Sequence, residues 1–463
     1  MESDLPPGLF PDHGAFSAGS YQRRSNALFK TRRAENRAGA HPLNLLKLFT
    51  LALALIGSPL FIVISALALI SFYSVGIDVS VVIIEMSRLA DTPLLLALPL
   101  FIFAGTLLSE SKAPQRMLKL SHLLLGWMPG GLAVVALLVC AIFTAFTGAS
   151  GVTIFALGGL LFPALVQDNY SEKFALGLIT SSGSLGLLFP PSLPLILYGV
   201  IAGTRIDHLF LAGILPGLVM LTILVLYSMA KHPVRNKKKT RTSSRAIVAG
   251  LREAIWELPL PFLILGGIYG GFLVAGEAAA ITAFYVLIVE VFFYRDIQLK
   301  QLPAIMVKSM MLFGGILVIL AASMASTNFL VDQEVPMRLF EFIRQYISSK
   351  YTFLLLLNIF LLIVGSMLDI FSALVLVVPL IVPIARGYEV NLVHLGIIFL
   401  TNLQIGYCTP PVGLNLFLAS YKFERPVIQL YGATLPFLAL LMVTLVIITY
   451  FPLLSLFLVN LVG

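Results

Sequence analysis

Two Pro-Pro pairs, each following polar residues inside an apolar run, are the features of this sequence best suited to binding chemistry. The segments read SSGSLGLLFPP at 181–191 and NLQIGYCTPP at 402–411. Each pair removes two backbone N–H donors and interrupts a helix, while the preceding glycine permits unusual backbone angles. Such a break frees backbone carbonyls, which suit Na⁺, and a positive helix N-terminus, which suits an anionic substrate.

Side chains with neutral oxygen donors surround both breaks, and hard cations prefer oxygen ligands. These residues are Ser181, Ser182, Ser184, Asn402 and Thr409. The alternative is a simple proline kink in which the Ser and Thr hydroxyls bond back to their own helix. The pattern occurs twice in the chain, which favours a binding site over a kink.

Two further apolar stretches carry a short polar turn near their centre. Residues 131–166 contain TGASGVT at 147–153, and residues 352–386 contain GSMLD at 365–369. The first turn offers hydroxyls and backbone carbonyls, or alternatively a small-residue packing face. Asp369 stands alone among apolar residues, where a charge costs about 3 kcal/mol on insertion scales. We therefore expect Asp369 to face a cation, a polar cavity or the free N–H groups of a helix start.

The elements that hold these residues must be membrane helices. Hydrophobic residues make up 59% of the 463 residues and charged residues only 11%, whereas soluble domains carry roughly 25% charged residues. This composition indicates an all-α polytopic membrane protein and excludes a soluble enzyme, a secreted disulfide scaffold, a disordered chain and an outer-membrane barrel. The sequence shows no Walker A motif, metal-spaced histidines or catalytic triad, so we expect neither ATP-driven nor enzymatic chemistry.

Hydrophobic runs divide the chain into two halves. The candidate spans are 43–73, 93–109, 173–199, 209–230, 257–275, 277–294, 303–330, 393–419 and 428–459. The predicted regions are a basic disordered tail at 1–42, a first half at 43–230, a basic cytoplasmic linker at 231–252 and a second half at 253–463. Residues 131–166 and 352–386 are predicted to be re-entrant helical hairpins, because irregular backbone is tolerated at membrane depth where protein buries it.

The basic residues set the predicted orientation. With the tail in the cytoplasm, the linker and most other basic residues also fall on the cytoplasmic side. The exceptions are Arg88, Arg205, Arg338, Arg344, Lys350 and Arg386. We therefore expect a multi-pass protein of the bacterial inner membrane, embedded in the lipid bilayer with a cytoplasmic N-terminus, and no nucleic-acid partner.

Several remaining residues are expected to be structural. Glu277 should lie in the first turn of a helix, and Glu290 and His394 lie near span ends, where interfacial roles are ordinary. Cys140 and Cys408 sit in apolar runs and are expected to be small buried residues.

The two halves are related by a shift of 220 residues. The matched pairs are Gly186 and Gly406, Pro190 and Pro410, Pro191 and Pro411, and Pro163 and Pro383. In the predicted threading, the spans at 173–199 and 393–419 run in opposite directions. Inverted repeats with discontinuous helices are typical of secondary transporters.

Several blocks resemble the dicarboxylate-type large membrane subunit of tripartite ATP-independent periplasmic (TRAP) transporters. They are LPLFIFAG at 98–105, MPGGLA at 128–133, FPPSLPLILYGV at 189–200, LFLAGILPGL at 209–218, GEAAA at 276–280 and TPPVGLNLFLAS at 409–420. The resemblance implies an elevator-type fold like that of the ion transporter superfamily, with the hairpins and broken helices in its mobile part. It also implies coupling to Na⁺, a small four-helix membrane subunit on a separate chain and a periplasmic substrate-binding protein.

Two Na⁺ sites are predicted, each formed by a hairpin tip and a broken helix. The first combines Thr147, Gly148 and Ser150 with Ser182, Gly183 and Gly186. The second combines Gly365 and Asp369 with Asn402, Gly406 and Thr409. A small organic anion, either a carboxylate or a sugar acid, is expected near Ser181, Pro190, Pro191, Pro410 and Pro411. A stand-alone Na⁺- or H⁺-coupled symporter of a related elevator fold is the nearest alternative, ahead of a channel or a membrane-embedded enzyme.

Overall fold

The fold is helical, with no strand, throughout the part of the chain that the structure describes. The structure is a computed structural model, and it describes residues 46, 48–50, 52, 53, 58–87, 93–126, 128, 130–231 and 244–462. The predicted tail and most of the predicted linker lie outside these residues. Residues 1–83 and 84–463 form two compact units. The first unit contains α1 (Leu60–Ser74), and α2 (Ser80–Ser87) follows along the chain.

The first half contains a helical hairpin followed by a broken helix. Its elements are a 3₁₀ turn at Pro93–Leu96, α3 (Ala97–Glu110), α4 (Ala113–Leu125), α5 (Gly131–Thr147), α6 (Ser150–Gln167), α7 (Glu172–Ser182), a 3₁₀ turn at Leu185–Leu188, α8 (Leu193–Ala202) and α9 (Ile206–Ala230). We call α5 and α6 the first hairpin, and the segment between α7 and α8 the first break.

The second half repeats this order from α13 onward. Its elements are α10 (Ser244–Glu253), α11 (Pro259–Tyr269), α12 (Ala275–Ile288) with a π turn at Val289–Phe293, α13 (Leu302–Asp332), α14 (Val335–Tyr346), α15 (Lys350–Met367), α16 (Ile370–Gly387), α17 (Leu392–Gly406), α18 (Leu414–Phe423), α19 (Val427–Tyr450) and α20 (Leu453–Val462). We call α15 and α16 the second hairpin, and the segment between α17 and α18 the second break.

The helix bounds reproduce the predicted repeat. A shift of 220 residues carries α5 and α6 onto α15 and α16, and the start of α7 onto the start of α17, to within one residue. Both breaks fall where the Pro-Pro pairs predict them, and both pairs are joined by a cis peptide bond. The segments on either side of the first break meet at an angle of 45°. The predicted all-α polytopic fold is therefore confirmed.

The predicted span at 428–459 is wrong as a single helix, because α19 ends at Tyr450 and α20 begins at Leu453. Pro452 lacks a backbone N–H and disfavours helical geometry at the residue before it, and Phe451 has φ −118° and ψ 77°. The predicted span at 257–275 is also shorter, since α11 covers only Pro259–Tyr269. Seven described helices are long and apolar enough to cross a membrane, or eight when α7 and α8 count as one span.

A buried ion cluster ties α4 to the start of the second half. Arg116 on α4 lies 3.0 Å from both carboxylate oxygens of Glu290 and also pairs with Glu257 and Asp296. Its guanidinium carbon lies 3.7 Å from the ring centre of Tyr294. Burial alone would lower the pKa of this guanidinium, but the carboxylates, with Glu290 the strongest, outweigh it and raise that pKa. We call Arg116 and its three carboxylates the Arg116 cluster.

The sequence analysis also predicted structural roles for several other ionisable and sulfur-containing residues, and the structure confirms some of these roles and contradicts others. Glu277 accepts a hydrogen bond from the backbone of Val274 at the first turn of α12, as expected. Cys140 and Cys408 are buried free thiols, as expected. In contrast, Glu290 and His394 are not ordinary interfacial groups, because both are buried and hydrogen-bonded.

Candidate ion and substrate site

The first hairpin packs its turn against the first break. Thr144 near the end of α5 donates a hydrogen bond to the carbonyl oxygen of Gly183 over 2.9 Å, and its hydroxyl lies 2.6 Å from that of Thr153 on α6. The turn passes through Gly148, whose φ of +65° favours glycine. The Leu193 side chain lies against Gly148, so the hairpin tip touches the start of α8.

The second hairpin meets the second break in a similar way. The N–H of Gly413, just before α18, donates to the carbonyl oxygen of Ser366 over 2.9 Å. The backbones of Gly365 and Gly406 approach so closely that a Cβ on Gly406 would lie 2.6 Å from the Gly365 carbonyl carbon. The hydroxyl of Tyr407 accepts a hydrogen bond from the backbone at the start of α16. Each repeat therefore places a hairpin tip directly over a helix break.

The two breaks also contact each other. The Ser184 hydroxyl donates to the carbonyl oxygen of Gln404 over 3.2 Å, and these two residues occupy equivalent positions in the two repeats. The carbonyl oxygen of Thr180 accepts from the Asn415 amide over 3.3 Å and contacts the Cys408 thiol at 3.7 Å. Both repeats therefore contribute polar groups to one region where the two breaks meet.

Unpartnered oxygens concentrate at this region. Within the described residues, six buried side-chain oxygens at the hairpin tip and the breaks have no hydrogen-bond partner: Thr147 Oγ1, Ser181 Oγ, Ser192 Oγ, Asn402 Oδ1, Gln404 Oε1 and Asn415 Oδ1. A buried polar atom without a partner costs about 1–3 kcal/mol. All six atoms can accept a donor or bind a cation, so the region has the chemistry of a ligand site.

The residues predicted for the first Na⁺ site lie close to one another. Thr147 and Ser150 are buried at the hairpin turn on either side of Gly148. A Cβ added to Gly183 would lie 3.4 Å from the Ser150 carbonyl oxygen, which brings hairpin and break together. Ser182 is fully buried, but its hydroxyl bonds the carbonyl oxygen of Ile179 on its own helix.

The remaining residues predicted for the first repeat also lie at the break. Gly186 rests on the backbone of α5 at Ala141 and Ala145. Ser181 is buried, and within the described part of the chain its hydroxyl oxygen meets no hydrogen-bond partner by distance and angle. Pro191 is buried and Pro190 is half-buried. Their roles as ion or substrate ligands stay predictions.

The residues predicted for the second Na⁺ site are brought together only in part. Asn402 is fully buried one helical turn before Gly406, which in turn packs on Gly365. The Thr409 hydroxyl bonds the carbonyl oxygen of Ile405 on its own helix. Pro410 and Pro411 are exposed.

Asp369 forms the N-terminal cap of α16. One carboxylate oxygen accepts the backbone N–H groups of Phe371 and Ser372 at 3.0 and 3.1 Å, and the other accepts the Ser372 hydroxyl. Asp369 is also exposed, whereas Asn402 is fully buried. Of the three surroundings that the sequence leaves open for Asp369, the structure shows the N–H groups of a helix start.

Ser192, Gln404 and Asn415 belong to the polar region, and the sequence analysis missed them as candidates. Their signal was present, since all three are uncharged polar residues within or beside the two quoted break motifs. Ser192 and Asn415 follow the Pro-Pro pairs, whereas the predicted ligands precede or form them, and Gln404 lies between the predicted ligands Asn402 and Gly406. Polar side chains inside a membrane span are costly and usually functional.

Comparison with known proteins places the chain among transporter subunits. Residues 46–454 match the family described as the DctM component of tripartite ATP-independent periplasmic transporters. The chain is 34% identical over 381 residues to a C4-dicarboxylate TRAP transporter large permease protein of Pseudomonas aeruginosa, covering 82% of this chain and 89% of the relative.

Other relatives carry different substrates in their names. The chain is 33% identical over 408 residues to an isethionate TRAP transporter permease of Oleidesulfovibrio alaskensis, covering 87% of this chain and 64% of that protein. It is 29% identical over 413 residues to an ectoine TRAP transporter large permease of Halomonas elongata, covering 88% and 96%. A crystal structure of the Alcanivorax borkumensis YdaH transporter shares the fold, with a TM-score of 0.56 and 15% identity over 80% of this chain and 86% of that one.

Proposed function

Because the chain belongs to the family of DctM components, the large permease subunits of TRAP transporters, we propose that it couples the entry of Na⁺ to the uptake of a small organic anion. A periplasmic binding protein delivers the anion, which is a carboxylate or a sugar acid, and a small four-helix membrane subunit completes the complex. Since relatives are named for different substrates, only the class of anion is proposed.

The ion coupling is supported mainly by the six buried oxygens at the breaks and the first hairpin tip that have no partner in the described part of the chain. Neutral carbonyl and hydroxyl oxygens are the ligands that Na⁺ prefers, and several of them together can replace its hydration shell. Occupation by Na⁺ would also remove the cost of leaving these oxygens unsatisfied. In this proposal the first site uses Thr147 and Ser150, and the second uses Asn402.

The anion site is supported by the helix starts within the breaks. Ser192 at the N-cap of α8 is fully buried, and its hydroxyl makes no capping hydrogen bond. Among the described residues, Ser192 therefore supplies no acceptor to the first backbone N–H groups of α8, which carry the positive end of the helix dipole. A carboxylate suits this position. In this proposal the two hairpins and two broken helices move together as the mobile part of an elevator-type transporter.

Reconstituted uptake tests the function. In proteoliposomes that contain this chain and its small subunit, with substrate-loaded binding protein outside, we expect uptake only under an inward Na⁺ gradient. Omission of either partner or replacement of Na⁺ by K⁺ should reduce uptake to the level of empty liposomes. The measurement is the initial rate of uptake over a panel of labelled dicarboxylates, other carboxylates and sugar acids. Full-rate uptake by this chain alone would instead establish the stand-alone symporter, and uptake that persists in K⁺ would refute Na⁺ coupling.

The proposed orientation, with a cytoplasmic N-terminus in the inner membrane, is tested by cysteine labelling. In intact cells, an impermeant thiol reagent should label Arg205→Cys and Arg338→Cys from the periplasm but leave Lys238→Cys unlabelled. The two native cysteines, being buried, should give little background. Labelling of Lys238→Cys before the cells are opened would reverse the orientation.

A further inference from the structure

A hydrogen-bonded network of buried amide and hydroxyl groups holds the side chain of Asn402 on α17. The Asn402 amide nitrogen donates to Asn358 Oδ1 on α15 over 2.7 Å and to the carbonyl oxygen of Ile398 over 2.8 Å. Asn358 in turn donates to the Thr449 hydroxyl on α19 over 3.0 Å. The side chains of Asn402 and Thr449 are fully buried, and Asn358 is 5% exposed.

The network continues to the last two helices. His394 lies with Nε2 3.3 Å from the carbonyl oxygen of Thr449, and with Nδ1 3.1 Å from the Ser455 hydroxyl on α20. Carbonyls in the last turn of a helix lack intrahelical donors, and a carbonyl can only accept, so Nε2 carries the proton. Thr449 is therefore held through both its side chain and its backbone, which makes it a firm anchor for Asn358.

This arrangement determines which way the Asn402 amide faces. Both hydrogens of its nitrogen are used, and the Ile398 carbonyl can only accept, so oxygen cannot take the place of nitrogen. Asn402 Oδ1 is then left buried with no partner among the described residues. Groups that orient ligands are as characteristic of ion sites as the ligands themselves.

We propose that Asn358, anchored by Thr449, is a positioning residue that presents the Asn402 carboxamide oxygen to the coupling ion. The inference rests on the proposed function, because it assumes that Na⁺ is the ligand. Without Asn358 the amide of Asn402 would lose one fixed acceptor and could rotate or draw its oxygen into other hydrogen bonds. Na⁺ affinity would then fall although every ion ligand remained in the chain.

The internal repeat offers an independent comparison. At the shift of 220 residues, Leu138 and Ser182 occupy the positions of Asn358 and Asn402. Ser182 satisfies itself by bonding its own helix and needs no neighbouring amide. The Asn358 amide therefore occurs only in the repeat whose break carries an asparagine, and leucine is already accommodated at the equivalent position of the first hairpin.

The test is the Na⁺ concentration that gives half-maximal uptake by the reconstituted complex with its binding protein, for variants at matched membrane levels. Removal of groups that orient metal ligands typically costs about 10- to 100-fold in affinity. We expect Asn358→Leu and Thr449→Val each to raise this concentration by about 10-fold. Thr449→Ser, which keeps the hydroxyl, should restore the wild-type value.

Two controls separate positioning from packing. Thr444→Val removes a buried hydroxyl from the same helix, but among the described residues that hydroxyl bonds only the carbonyl oxygen of Leu440, so Na⁺ dependence should not change. In an Asn402→Ser background, Asn358→Leu recreates the Leu–Ser pair of the first repeat and should have no further effect. This non-additivity is the signature of residues that act through one another.

Each outcome identifies which idea fails. If Asn402→Ser raises the half-saturating Na⁺ concentration but Asn358→Leu and Thr449→Val do not, the positioning role is refuted while Na⁺ coupling stands. If Asn402→Ser also has no effect on Na⁺-dependent uptake, Asn402 is not an ion ligand and the inference falls. If uptake is independent of Na⁺ in the wild type, the proposed function itself is wrong. Should Asn358→Leu fail to fold, the comparison of Thr449→Val with Thr449→Ser still decides the positioning role.

Discussion

Replacing Arg116 by methionine is expected to lower the free energy of unfolding of this chain by about 3–5 kcal/mol. Methionine retains an unbranched apolar chain but has no guanidinium. The carboxylates of Glu257, Glu290 and Asp296 therefore lose the cation that they share. Glu290 has no exposed surface through which water could compensate for the lost charge. The measurement is SDS-driven unfolding of the purified protein in mixed micelles, compared with the wild type.

A control on the same helix isolates the effect of burial. Lys119 pairs with Glu253 at 2.6 Å, but the two side chains are 57% and 47% exposed. Exposed pairs contribute only about 0–1 kcal/mol, so Lys119→Met should change stability little. Neutralising Glu290 alongside Arg116, as Arg116→Met with Glu290→Gln, should recover part of the loss, since replacing a whole buried ion pair is often tolerated. Equal stability of Arg116→Met and Lys119→Met would show that the cluster is solvated and contributes little.

The Arg116 cluster also shows where prediction from sequence ends. Most helix bounds and both breaks followed from apolar runs, Pro-Pro pairs and the constant offset between the halves, whereas the spans at 257–275 and 428–459 did not keep their predicted bounds. The cluster joins residues 141 to 180 positions apart, and no local pattern encodes that proximity. Glu290 therefore looked like an ordinary residue at a span end, because its partner lies on a different helix in the other half of the chain.

The candidate site divides in the same way. Ser181 and Asn402 were identified by residue type and by their place beside a predicted break, and Thr147 by its place at a predicted hairpin tip. Their mutual geometry was not predictable, because it depends on how each helix rotates about its axis when hairpin and break pack. That rotation brings Asn358 to Asn402, and it leaves Asp369 exposed at the start of α16. The position of a polar residue along a span therefore predicted whether it lies at the candidate site. It did not predict which side chain or backbone group that residue contacts there.

Replacing Gly406 by alanine is expected to reduce uptake by about 10-fold or more at matched membrane levels. A Cβ at this position would lie 2.6 and 2.7 Å from the carbonyl carbon and Cα of Gly365, and 2.9 Å from the amide nitrogen of Ser366. These are all backbone atoms, so the clash can be relieved only by moving the second hairpin away from the second break. Overpacking of this kind typically costs about 1–3 kcal/mol. Here the clash weakens the contact between the second hairpin and the second break, which is the contact that assembles the site.

The first repeat predicts the same result for Gly186→Ala, whose Cβ would fall on the α5 backbone at Ala141 and Ala145. Gly432→Ala is the matched control, because its Cβ would meet only the flexible end of the Lys173 side chain at 3.9 Å. Alanine in a helix is also favoured over glycine by about 1 kcal/mol, so this control should fold and transport at least as well as the wild type.

Because Gly186 and Gly406 occupy equivalent positions, loss of uptake in both variants would mean that close backbone contact between hairpin and break is required in each repeat. Normal uptake by Gly406→Ala would instead mean that transport does not need the close contact between Gly406 and Gly365. The tip of the second hairpin would then not be required to assemble the second ion site.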